Sequence, residues 1–149
     1  QSLRHSYGKA PHFDTVYPIL EDILTQTEKN LASFLDYQLR RLCDYLGLCP
    51  QWHISSALAK DNGLRGQDKI LAICEELGAT HYINMPGGKT LYEPSSFSAR
   101  GLQLSFIQPK AVSYRQFSSG FLPHLSIIDV MMFNEREQCA RLLEEYDLV

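Results

Sequence analysis

The sequence predicts an α/β fold, a small and mostly parallel sheet of about three or more strands flanked by helices, in a single domain over residues 1–149. Three observations carry that class. Residues 66–77 place Ile70, Leu71, Ile73, Cys74 and Leu77 on one stripe, with Asp68, Lys69, Glu75 and Glu76 opposite, which is the i, i+3, i+4, i+7 spacing of a core-facing helix. Gly78 follows where a left-handed residue ends a helix, and His81-Tyr82-Ile83-Asn84 then reads as a strand emptying into the turn Pro86-Gly87-Gly88. Gln51-Trp52-His53-Ile54 is a second short strand before the helix. The order strand, loop, helix, strand predicts a right-handed crossover in which strands 51–54 and 81–84 lie parallel and adjacent.

The other elements follow in chain order. Tyr7 to Phe13 reads as a loop, after which Asp14 or Thr15 caps a helix carrying Ile19, Leu20, Ile23 and Leu24 inward, with Pro18 acceptable only in its first turn. Leu31, Phe34, Leu35, Leu39, Leu42, Cys43 and Leu46 mark a second helix of about four turns, with Gly47 as its stop and Pro50 beyond. Strand 51–54 ends at Ser55-Ser56, and the polar stretch Lys60 to Arg65 leads into helix 66–77. Leu102, Leu104 and Phe106 alternate with Gln103 and Ser105, so a third strand is expected, with one less buried face, at a sheet edge. Residues 108–124 form a Pro-, Gly- and Ser-punctuated loop, long enough for a functional excursion. Leu125 to Phe133 is apolar almost all round and reads as a buried helix that Pro123 and His124 precede and that Leu125 or Ser126 begins. Asn134 and Glu137 suggest a capping box opening an amphipathic last helix that runs to Tyr146.

The formal net charge of −3, from 14 basic and 17 acidic side chains, offers no footprint for nucleic acid. No apolar run approaches the ~18 residues of a membrane helix, and the opening residues do not read as a signal peptide. The four cysteines are widely spaced without a Cys-x-x-Cys pair, so reduced thiols and a cytoplasmic setting are expected. No spacing of His, Cys, Asp or Glu suits a metal, and nothing names a cofactor. The absence of an initiator Met leads us to expect a processed or truncated piece of a longer protein.

Gly88-Lys89-Thr90 has the composition of a phosphate loop without its spacing. A Walker A motif needs glycine where this chain has Ile83, and Glu93-Pro94 is not expected to open a clean helix. A looser role is open: Gly87 and Gly88 amides and the Lys89 ammonium facing an anionic group at the strand end, with Asn84 and Tyr92 beside them, against the plain alternative of a surface turn. Ser55 and Ser56 either contact a ligand or cap the following segment. Because parallel strands empty at a common end, the two motifs are expected on one sheet edge with a pocket between them.

Asp129 falls within the most apolar helix and must find a partner, since an unpaired buried carboxylate is costly. A backbone amide, an arginine or a tyrosine, among them Tyr82, Tyr92 and Tyr114, would make it scaffold; a ligand hydroxyl or amine, or His124, would make it functional. A capping box of Ser126 with Asp129 at the third helical position is the plain reading. His124 and Asp129 are the candidate catalytic pair. On one regular helix they would stand about 140° apart, so they cooperate only if His124 lies in the loop.

The ordered set Tyr7-x-Lys9-Ala10-Pro11-x-Phe13, Ser55-Ser56-x-Leu58, Ile73-Cys74-x-x-Leu77-Gly78-Ala79-x-x-Tyr82-Ile83, Gly87-Gly88-x-x-Leu91-Tyr92, Tyr114-x-Gln116 and Phe121-x-Pro123-x-Leu125-Ser126-Ile127-Ile128-Asp129 resembles the WbqC-like family, over residues 4–134. The resemblance implies a place in bacterial surface-polysaccharide (O-antigen) gene clusters, where some members have been proposed to transfer glycine to a sugar. It therefore implies an amino-acid or acyl transferase acting on an amino sugar or nucleotide sugar, with a small-molecule substrate. In that chemistry His124 would serve as base, and the amides of Gly87 and Gly88 would hold a tetrahedral oxyanion. The alternative is a non-catalytic ligand-binding or assembly module of the same pathway; a homo-oligomer is compatible with either. Members usually carry a further N-terminal segment, so the chain is expected to be the C-terminal part of a longer family pattern.

Overall fold

The computed structural model describes residues 2–117 and 120–149; Gln1, and Ser118 and Ser119 of the predicted 108–124 loop, lie outside the described residues. Along the chain run α1 (Ser2–Tyr7), α2 (Phe13–Leu24), α3 (Leu31–Leu46), α4 (Gly66–Glu76), β1 (His81–Asn84), α5 (Pro94–Ser98), β2 (Gln103–Pro109), α6 (Ile127–Phe133), α7 (Arg136–Leu143) and β3 (Tyr146–Leu148). They form two compact units. One comprises the chain up to Pro50 with Ala111–Glu145; the other is Gln51–Lys110 with Tyr146–Val149.

The first unit is helical. Its core is Val16, Met131, Met132 and Cys139, all fully buried, ringed by Leu20, Leu46 and Ala10. Within α2 the burial of Val16, Leu20 and Ile23 follows the helical period, whereas the predicted inward Leu24 is 63% exposed. α2 starts at Phe13, ahead of both expected caps, Asp14 and Thr15. Pro18 is accordingly its sixth residue, beyond the first turn, where it has no N–H to offer the Asp14 carbonyl. Tertiary burial of the neighbouring turns outweighs that defect. Since Pro18 is exposed, Pro18→Ala removes the defect without removing packing, and we expect a gain of about 1 kcal/mol or more after the lost unfolded-state restriction is deducted. A urea midpoint that falls would show that the ring supports the helix entry.

α3 has both its ends as local chemistry dictates. The Asn30 side chain accepts from the Ser33 amide (3.1 Å), and Gly47, at φ 75°, closes the helix while the Leu48 amide donates to the Cys43 carbonyl (2.9 Å). The expected inward stripe is buried only toward its end, at Leu46; Leu31, Leu35 and Leu39 are exposed. Pro123 and His124 precede α6 as predicted, but its first residue is Ile127, not Leu125 or Ser126; Ser126 is its cap, the hydroxyl accepting from the Ile128 amide (3.2 Å). Asn134 does not open the last helix. Its backbone and side-chain N–H groups both donate to the Val130 carbonyl (3.0 and 2.8 Å), finishing α6, and α7 begins after Glu135 without a side-chain cap. α7 ends at Leu143, so Tyr146 belongs to a strand instead of a helix.

In the second unit α4 and β1 lie where periodicity places them. Leu71 and Cys74 pack against Phe97 and Leu102, and Gly78 at φ 59° ends the helix. Residues 51–54 form no strand, and Ser55–Ala57 is a 3-10 turn. Ile54 is 62% exposed, so this tetrad has no buried face to exchange for a ladder. The parallel partner of β1 is β2, in register from His81↔Gln103 to Asn84↔Phe106. β2 is central, not an edge: β3 pairs with it antiparallel, Ile107↔Leu148 to Pro109↔Tyr146, giving a three-stranded mixed sheet. The α/β class stands. Contrary to expectation, Pro94 does open a helix, as the first residue of the short α5, where its missing N–H leaves no bond unmade.

Candidate functional site

Asp129 is the third residue of α6 and only 3% exposed. Its Oδ2 accepts from the Tyr114 hydroxyl (2.7 Å) and from Gln116 Nε2 (2.8 Å). The side chain thus turns to another segment and completes no box with Ser126. Gln116 is itself held, its Oε1 accepting from the Leu122 amide (2.8 Å) and its Nε2 also donating to the Leu122 carbonyl (3.2 Å). Tyr114 lies edge-on to Phe121, with centroids 5.0 Å apart. Burial first, and then the hydrogen bond to Asp129, push the phenol pKa of Tyr114 up; the same two causes in the same order raise that of Tyr7 at the end of α1. An acid, two phenols and an amide from three segments therefore converge.

Gln116 reaches from this cluster to a surface cleft of about 390 Å³, which it lines with Lys9, Pro11, Arg115, Phe117 and Phe133. Lys9 projects from a tight turn fixed by three amide bonds: Gly8 to the Arg4 carbonyl (3.0 Å), Ala10 to Tyr7 (2.8 Å) and His12 to Met132 (3.1 Å). A Cβ at Gly8 would stand 2.6 Å from the Arg4 oxygen, so that position requires glycine. The roles of Lys9, Arg115 and Gln116 escape a reading of single motifs. The available signal is the pair Tyr114-x-Gln116, whose spacing of two sends both side chains of an extended segment the same way.

His124 precedes α6 as expected, on an exposed loop and in the left-handed region at φ 59°. Among the described residues no hydrogen bond joins it to Asp129. The remaining candidates belong to the second unit. There Asn84, Gly88 and Tyr92 come together: Asn84 Nδ2 donates to the Tyr92 hydroxyl (3.1 Å), which also bonds that of Tyr82 (3.1 Å), and a Cβ on Gly88 would meet Asn84 Nδ2 at 2.8 Å and Tyr92 Cε2 at 3.1 Å. Tyr82 and Tyr92 are thus partners of each other, and burial followed by that bond raises the Tyr82 phenol. The Gly88 amide donates to the Met85 carbonyl (2.9 Å), which occupies the hydrogen that an oxyanion would need. Gly87 is exposed, and Lys89 Nζ lies 5.8 Å from the Phe106 ring centroid. Ser55 and Ser56, lying in a 3-10 turn, end no strand, so the expected shared sheet edge has no basis. Ser55 Oγ is buried without a hydrogen-bond partner among the described residues. Among these residues, too, no His, Cys, Asp or Glu cluster could hold a metal, and no helix is long and apolar enough to cross a membrane.

Fold and cluster define an α/β protein in which the opening turn, the 114–116 segment and the start of α6 assemble a buried acid–phenol–amide group beside a cationic cleft. The chain belongs to the WbqC-like protein family, whose sequence profile matches residues 1–141 of the 149. Comparison with curated proteins and with solved structures finds no match.

Proposed function

We propose that this WbqC-like protein is a cytoplasmic amino-acid (glycine) or acyl transferase acting on an amino sugar or nucleotide sugar in bacterial surface-polysaccharide biosynthesis. The observation that carries the reading is the buried Asp129, held by donors from another segment and linked through Gln116 to a cleft of small-molecule size. In the reaction the sugar amine attacks the activated acyl carbon; a C–N bond forms, the bond to the activating group breaks, and the amine proton passes to a base. His124, exposed at the entry to α6, is the base.

A second reading is a non-catalytic ligand-binding module. The occupied Gly88 amide and the lack of a bond between His124 and Asp129 favour it, because both leave the predicted catalytic set unassembled. A thermal-shift panel of glycine, ATP and nucleotide sugars decides whether a ligand binds: one present at a hundredfold its Kd adds about 2.7 kcal/mol to the folded state. Labelled glycine, supplied with ATP to activate its carboxylate, then separates the readings. Transfer to an amino sugar by the wild type, abolished in His124→Ala, supports the enzyme; ligand binding without product supports the module.

A further inference from the structure

We propose that the Lys9–Arg115 cleft seats a diphosphate, so that the sugar substrate arrives as a nucleoside diphosphate conjugate with its base against Phe117. This rests on the transferase reading above and names its substrate class. Lys9 and Arg115 are both exposed, and neither makes an ion pair among the described residues. Lys9 and Phe117 also line an adjoining hollow of about 690 Å³ with Arg4, His5, Ser6 and Gly8. Among the described residues no acidic side chain lines either concavity, although acids outnumber bases in the chain as a whole. Arg4 alone is engaged, over the Tyr17 ring (4.6 Å to its centroid) and 3.8 Å from Glu21. Two like charges drawn to one cleft repel each other, and a dianion turns that repulsion into attraction.

The shape narrows the anion. Glycine is far smaller than the cleft, and its single carboxylate satisfies one of the two cations. A diphosphate offers oxygens to both, the guanidinium gripping two at once and the ammonium acting as a point charge. Phe117 is 56% exposed while its ring packs T-shaped with that of Phe133, centroids 4.7 Å apart, so an aromatic side chain anchored on one side remains half open to a planar base.

The test is calorimetric titration of the full chain with UDP, pyrophosphate and uridine at low and high salt, on the wild type and on Lys9→Ala, Arg115→Ala and Phe117→Ala. All three side chains are exposed, and circular dichroism checks that the variants fold. We expect UDP to bind more tightly than pyrophosphate or uridine and to weaken at high salt. Lys9→Ala and Arg115→Ala should each weaken it about tenfold or more. Phe117→Ala should weaken UDP about fivefold or more while leaving pyrophosphate unchanged. Absence of UDP binding, or UDP affinity unchanged in both Lys9→Ala and Arg115→Ala, overturns the proposal. The two readings fail separately: UDP held through Lys9 and Arg115 without glycine transfer sinks the transferase alone, and transfer to an unphosphorylated amino sugar without UDP binding sinks the diphosphate seat alone.

Discussion

Replacing Asp129 with alanine is expected to lower the free energy of unfolding by about 3 kcal/mol or more, because it strands two partly buried donors, each costing roughly 1–3 kcal/mol when unpaired. Those donors are the Tyr114 hydroxyl and the Gln116 amide, both bonded to the same carboxylate oxygen. Tyr114→Phe deletes one donor and leaves the acceptor with another, so its cost should be about 1 kcal/mol. In a double-mutant cycle Tyr114→Phe should cost clearly less once Asp129 is gone, and strict additivity would show that the bond contributes nothing. The pH dependence provides an independent check. The folded phenol of Tyr114 has a raised pKa, so its stabilisation is fully present below the unfolded value of about 10 and is lost as pH rises from there toward the folded value. The alkaline fall in stability should therefore be shallower in Tyr114→Phe than in the wild type. Asp129→Asn addresses function: a variant that loses stability but keeps ligand affinity makes Asp129 scaffold.

Phe97→Ala should cost about 3–5 kcal/mol, the range for truncating a fully buried aromatic side chain. Phe97 has no exposed surface and stands at the centre of the second unit's core, stacked on Tyr82 (5.6 Å between centroids) and edge-on to Tyr92 (5.7 Å). Its loss removes the surface that holds the two tyrosines against each other, so the Tyr82–Tyr92 bond and the Asn84 contact should loosen with it. Urea unfolding measures the stability, and near-ultraviolet circular dichroism reports the tyrosine packing. A cost below ~1.5 kcal/mol, the usual figure for a volume-conserving swap, would mean that the neighbours collapse into the space and that the aromatic cluster is not the keystone of this unit.

The elements legible in the sequence are those whose determinants lie within a few residues of one another. α4, its end at Gly78, and β1 lie where the apolar stripe and turn chemistry put them, and Gly47 ends α3 for the same local reason: a left-handed residue lets the following amide return to a helical carbonyl. Burial of Asp129 with a partner from another segment was also legible, since a carboxylate in so apolar a helix cannot remain alone. Tyr114 was among the tyrosines anticipated, but its cooperation with Gln116, and the cleft they adjoin, come from the folding of a loop with no periodicity.

Strand identity needed the tertiary structure. Residues 51–54 resemble a strand as closely as 81–84 do, yet β1 pairs with β2, because backbone ladders are decided by which segment reaches the exposed edge and not by the segment's own residues. The end of the chain shows the same physics, with Tyr146–Leu148 drawn from a helical pattern into the free edge of β2. Asn134 could serve either the end of one helix or the start of the next, and the choice went to the Val130 carbonyl. Gly88 is likewise ambiguous by itself: its flexibility suits an anion-binding amide or a tight contact, and the surrounding Met85, Asn84 and Tyr92 make it the latter. What the sequence determined alone was periodicity, helix ends and the need of a buried charge for company, all local or single-residue energies; which partner met each need was settled by long-range packing, whose free energy no local window contains.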